Sequence, residues 1–116
     1  MSNKYRAKPT IYNGVRYASK AEAARAVELD QMLLAGEILV WIGQPTFRLG
    51  CPENVYRADF LVVPPVGVNG TPWVEDVKGM ETPKFRRDKK LWKRYGRLNL
   101  HIIKGKKTEV VRPEVT

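Results

Sequence analysis

A single cysteine, Cys51, and a single histidine, His101, are all that this 116-residue chain offers of the soft metal ligands. One thiol excludes an intramolecular disulfide, and no Cys or His cluster is present to build a zinc site. A bound metal would be held by carboxylates, which selects magnesium or manganese over zinc. No apolar run is long enough to cross a bilayer, and the N-terminus lacks the apolar core of a secretion signal. The expected setting is a reducing cytoplasm, without a membrane partner. Acids are scarce too: 12 Asp and Glu against 21 Lys and Arg leave a formal charge of +9. That excess favours a polyanionic partner. It is also uneven, since Lys84 to Lys107 holds eleven Lys or Arg and one acid, Asp88. A basic half beside an acidic pocket suits nucleic acid drawn onto bound metal, whereas a merely solubilising surface is the plainer reading.

The length allows one domain with a modest core, and not two. Residues 1–9 read as a basic flexible arm and residues 10–116 as the domain. Asn13-Gly14 predicts a short N-terminal hairpin over Thr10 to Tyr17. Ser19 to Ala35 is predicted as a helix, with Ser19 and Glu22 in capping-box spacing and Gly36 as the stop. At about 100° per residue, Glu22, Ala26, Leu29 and Leu33 share a stripe expected to face the sheet, while Arg25, Glu28 and Gln31 point away. Glu22 is either a cap alone or a buried acid needing a partner. Glu37 to Leu49 is extended, interrupted at Gln44-Pro45. Val55 to Val63 reads as one central strand, with Asp59 its only acid. The loop Pro64 to Pro72 leads to a third strand.

That third strand, Trp73 to Gly79, carries the densest chemistry. Alternation places Asp76 and Lys78 on one face with Val74, and Glu75 and Val77 on the other. An acid and an amine together near a strand end suit metal-dependent phosphodiester cleavage, with the acid on a divalent cation and the lysine beside water or phosphate. An ordinary ion pair along one face of the strand is the alternative. An antiparallel neighbour would bring Asp59 near Asp76. Thr82-Pro83 then opens a second helix running to about Tyr95, with Gly96 as its stop. Phe85, Leu91, Trp92 and Tyr95 form its apolar side. Arg86, Lys89, Lys90, Lys93 and Arg94, with Arg87 at the margin, form a basic outer arc. Lys84 is spaced to pair with Asp88. Leu98 to Ile103 is a final strand parallel to the third, followed by a basic turn from Lys104 to Lys107.

The order helix, three strands, helix, strand, with Glu22, Asp59 and Asp76-Val77-Lys78 in those places, resembles the PD-(D/E)XK nuclease superfamily. It is most similar to a family of small phage and prophage proteins long catalogued as a domain of unknown function. The matching stretches are Tyr17 to Glu22, Gly36-Glu37, Gln44-Pro45, Tyr56 to Phe60, Glu75 to Met80, and Thr82-Pro83 with the basic helix. Ala58 departs from the proline of the superfamily's name. The resemblance implies an α/β fold with a restriction-endonuclease-like αβββαβ core, a mixed central sheet flanked by helices. It implies that Asp59, Asp76 and the Val77 carbonyl bind Mg2+ or Mn2+, and that Glu22 binds a second metal or a metal-bound water. Lys78 would orient or activate the attacking water, and Gln44 would be an accessory group or only a strand-end amide. The implied activity is DNA endonucleolytic cleavage in phage recombination or DNA processing. Branched DNA such as Holliday junctions, cut by a homodimer, is one form of it. Lys84, Arg86, Arg87, Lys90, Lys93 and Arg94 are the expected DNA-binding residues. A non-catalytic DNA-binding module on the same fold and an RNA-directed nuclease are the rivals.

Overall fold

Asn13 and Gly14 take positive φ angles of 50° and 78°, and they turn β1 (Thr10–Tyr12) back on β2 (Val15–Tyr17). Only Gly, and to a lesser degree Asn, adopts that conformation cheaply, so the dipeptide dictates this hairpin. The computed structural model describes residues 8–67 and 70–114, so most of the expected basic arm lies outside the described residues. Helix α1 (Lys20–Leu34) begins at Ser19, whose hydroxyl accepts the Glu22 N–H at 3.1 Å. It buries Ala23, Ala26 and Leu29, but Leu33 is exposed. Leu33 has the right angle on the wheel but lies in the last turn of α1, outside the core cluster that takes in Ala23, Ala26 and Leu29. Arg25, expected to point away, instead lies against the sheet through its contact with Glu75.

The main sheet has five strands in the order β3-β6-β7-β8-β9, where β3 is Val40–Gly43, β6 Phe60–Val63, β7 Trp73–Val77, β8 Asn99–Lys104 and β9 Lys107–Val111. Only β7 and β8 are parallel, joined through α2 (Pro83–Tyr95); the other pairs are antiparallel. Strand alternation divides the core in two. Phe60 and Val62 pack with Tyr17, Ala23, Ala26 and Leu29 on the α1 face. Val74, Leu100 and Ile102 pack with Phe85 and Trp92 on the α2 face. The helices therefore flank a mixed sheet. Among the described residues, no helix is long and apolar enough to cross a membrane.

Strand β9 was not expected. Its sequence lacks apolar alternation because it is an edge strand, with Lys107, Thr108 and Glu109 all exposed. The predicted strand over Val55 to Val63 is also two strands. β4 (Thr46–Arg48) and β5 (Val55–Arg57) form a separate two-stranded sheet that continues the β3–β6 hairpin after a bend. At that bend Gln44 has φ of 54°, and Pro45 has no N–H to carry on the ladder. Gln44 N–H donates to the Asp59 carbonyl at 2.8 Å and Ala58 N–H to the Pro45 carbonyl at 3.0 Å. Asp59 thus sits at a bend and not within a strand.

Candidate active site

Strand β7 presents its two acids to opposite faces. Glu75 faces α1, where its oxygens accept from Arg25 Nε and Nη2, both at 2.7 Å, and from Trp73 Nε1 at 2.9 Å. It is only 1% exposed, yet fully partnered. Asp76 faces α2 and is equally buried. Its Oδ2 accepts from the Tyr56 hydroxyl, and its Oδ1 lies 3.3 Å from Lys78 Nζ. The Lys78 ammonium in turn sits 4.5 Å from the centroid of the Phe85 ring. Alternation alone anticipated this division between Glu75 and Asp76.

Asp59 reaches the same place from the bend. The β6–β7 register pairs Phe60 with Glu75, and the Asp59 N–H extends that ladder by donating to the Glu75 carbonyl at 3.1 Å. Asp59 Oδ2 accepts the Val77 N–H at 2.7 Å, so Val77 already contributes its amide as well as any carbonyl. Burial pushes the Asp59 carboxyl up to about 8, and the neighbouring Asp76 and Glu22 charges push the same way against the Val77 N–H. Glu22 is raised as well, first by burial and then by Asp76, with the Ala18 N–H and Lys78 opposing. Glu22 therefore belongs to the acidic cluster in addition to starting its helix. Gln44 leaves its side chain exposed; its backbone N–H is what anchors Asp59.

The raised Asp59 carboxyl makes the metal-free protein sensitive to pH. Folded Asp59 keeps its proton up to about 8, whereas an unfolded-chain aspartate releases it near about 4. Between those limits the folded state binds the extra proton. Stability is thus fullest below that window and falls across it by as much as about 1.4 kcal/mol per pH unit. Asp59→Asn should flatten the fall and raise the melting temperature of chelator-treated protein at pH 8. Melting curves from pH 5 to 9 that leave the variant and wild type parallel would remove this account of Asp59.

Asp59, Asp76 and Glu22 form one acidic cluster, with Lys78 the cation beside Asp76 and Glu22, an arrangement short of positive charge. Among the described residues no three His, Cys, Asp or Glu side chains form a ready-made metal cage. The donor set of hard oxygens still suits magnesium, which takes one or two carboxylates and keeps several waters. Asp59 and Asp76 are the residues that would hold it, with Glu22 within reach. His101 stacks on Trp73 on the other face of the sheet, with ring centroids 5.6 Å apart, and has no place in the cluster.

Helix α2 starts five residues beyond Lys78, and its cations divide into two groups. Lys84 pairs with buried Asp88 at 2.8 Å. Arg86 donates to the Glu81 carbonyl and Arg87 to Asn54. Lys89, expected in the outer arc, turns inward to bridge Glu81 and Glu109, a network that Lys104 joins. Lys90, Lys93 and Arg94 are exposed, and among the described residues none makes a salt bridge. Lys90 and Lys93 line an open groove with Lys89 and Arg112 against β9. Sequence reading missed Tyr56 and Arg25. Their partners lie 20 and 50 residues away, beyond any local pattern.

A family model described as "Protein of unknown function (DUF1064)" matches residues 2–110. The chain belongs to this family. The match spans the whole acidic cluster, both helices and all but the last residue of β9. A search of curated proteins gave no match, and a search of solved structures gave none.

Proposed function

We propose that the chain is a metal-dependent DNA endonuclease of the PD-(D/E)XK superfamily, with a restriction-endonuclease-like core. The observation that carries the reading is the meeting of Asp59, Asp76, Lys78 and Glu22 where the bent hairpin crosses the end of β7. That combination of acids and one amine is the equipment of phosphodiester hydrolysis. The basic helix that follows supports a polyanionic substrate. A phage or prophage role in DNA recombination or processing, in the bacterial cytoplasm, fits this activity. Symmetric cutting of branched DNA would further require a homodimer.

When bound, Mg2+ or Mn2+ at Asp59 and Asp76 would polarise a phosphoryl oxygen and acidify water. Lys78 orients the attacking water and offsets charge building on the phosphate. The Phe85 ring holds that ammonium in place without neutralising it. Glu22, whose carboxyl neighbours Asp59, Asp76 and Lys78, would hold a second metal or a metal-bound water. Lys90, Lys93 and Arg94 hold the backbone of the duplex.

The test is nicking of supercoiled plasmid in magnesium or manganese, abolished by EDTA, then a panel of linear, nicked, flapped and four-way DNA and of RNA. Metal-dependent DNA cleavage supports the proposal. Binding without cleavage in either metal sinks it in favour of a binding module, and cleavage confined to RNA replaces its substrate. A second measurement isolates the helix. Each lost phosphate contact lowers the magnitude of the slope of log K against log salt by about 0.9, so changing Lys90 and Lys93 together to Ala should lower that magnitude by about 1.8. The titration uses calcium to hold back cleavage. An unchanged slope and affinity would show that α2 is not the DNA platform.

A further inference from the structure

We infer that Tyr56 is a positioning residue for the candidate metal site, acting through Asp76. The inference rests on the reading of Asp59 and Asp76 as metal-holding carboxylates. Tyr56 belongs to neither the five-stranded sheet nor a helix. It lies on β5 of the small hairpin sheet, is 2% exposed, and projects into the α2 face of the core. There its ring packs edge-on to Trp92, with centroids 5.8 Å apart, and lies 6.3 Å from the Phe85 ring. Only its hydroxyl escapes that apolar contact, and it donates to Asp76 Oδ2.

The geometry assigns one job to that hydroxyl. A carboxylate at a strand end can rotate, and both its oxygens compete for any cation nearby. With Oδ2 occupied by Tyr56, the Asp76 carboxyl is held with Oδ1 toward Lys78 Nζ. Phe85, beneath that ammonium, also neighbours Tyr56, so β5, β7 and α2 close a ring of contacts around the two side chains. A residue that donates a hydrogen bond to a metal-binding carboxylate fixes its orientation, and losing such a partner commonly costs about 10–100-fold in metal affinity. The bend at Gln44 and Asp59 thereby has a second consequence. It brings the β4–β5 sheet over the α2 face, so one hairpin delivers both Asp59 and the hydroxyl that steers Asp76.

Tyr56→Phe tests this, because it removes the hydroxyl and keeps the ring in its packing. Manganese binding is measured by calorimetry on folded, full-length protein without DNA. The expected result is affinity about 10–100-fold below wild type. The packing control is Phe47→Leu, which loosens the hairpin against Trp92, 4.8 Å away between ring centroids, without touching Asp76. That control should bind manganese like wild type. Equal affinity in Tyr56→Phe and wild type overturns the inference, as does equal weakening in both variants. If Tyr56→Phe fails to fold, carbon-13 labelling of the tyrosine ring carbon that bears the hydroxyl takes its place in wild type. The Tyr56 signal must shift in step with magnesium saturation, and a signal that stays put overturns the inference. Wild-type protein that binds no metal removes the active-site reading itself, and the role of Tyr56 with it; that outcome is distinct from equal binding by the two proteins.

Discussion

Asp76→Ala and Asp59→Ala are each expected to reduce DNA cleavage to background while the protein stays folded, and Lys78→Met to slow it by about 100–1000-fold. The reason for the difference is chemical. In the proposed mechanism the two aspartates would hold the cation, whereas Lys78 would contribute charge and orientation at the reacting phosphate. None of the three is expected to be essential for folding. Asp59 is a burden to the metal-free protein, since burial and two neighbouring acids oppose its charge. Asp76 retains space-filling neighbours on the α2 face when its carboxyl is cut back, although Tyr56 loses its acceptor. The measurement pairs a plasmid-nicking assay with far-ultraviolet circular dichroism on the same samples. Wild-type cleavage by folded Asp76→Ala would end the nuclease proposal for this site. Glu22→Gln provides the finer test. It should lower activity yet leave the melting temperature near wild type, because the Ser19 hydroxyl accepts from the backbone of residue 22 whatever the side chain.

Arg25→Ala is expected to be the most damaging change outside the cluster, and its damage should be to stability. Glu75 is 1% exposed, and Arg25 engages it through two parallel hydrogen bonds. Removing the arginine leaves a buried carboxylate with only the Trp73 indole N–H as partner among the described residues. Breaking a buried pair in this way costs about 3–5 kcal/mol. For a domain of this size that is a fall in melting temperature on the order of 10–20 °C. Replacing both residues together with methionine should recover most of the loss, because desolvating the pair cancels much of its attraction. Glu75→Gln should be destabilised as well, but below its melting temperature it should cleave DNA within a few-fold of wild type, since Glu75 faces away from Lys78. Arg25→Ala melting with wild type in a thermal scan would show that Glu75 has another compensating partner. A loss of cleavage in stable, folded Glu75→Gln would show that both faces of β7 serve the chemistry.

The elements legible in the sequence are those whose causes are local. Asn13-Gly14 carries its own turn geometry, Ser19 and Thr82 cap their own helices, and Pro83 with Gly96 brackets α2. Alternation along Trp73 to Val77 was enough to separate Asp76 from Glu75, because a strand has a period of two whatever surrounds it. The meeting of Asp59 with Asp76 was permitted by the order of strands. It became definite only with the β6–β7 register and the bend at Gln44. What tertiary structure alone decided depends on a distant partner. Leu33 had the right angle and stayed exposed, while Arg25 was expected to point away and instead reaches a buried acid. Lys89 looks like a member of one basic surface until Glu81 and Glu109 claim it, whereas the Lys84–Asp88 pair was legible from its four-residue spacing. Strand β9 has almost no apolar alternation to announce it, since an edge strand owes its place to hydrogen bonds with β8. Tyr56 reads as one more core aromatic. Only the folding of its hairpin over α2 brings its hydroxyl to Asp76, because a backbone pattern sets which way a side chain points and packing sets what it meets.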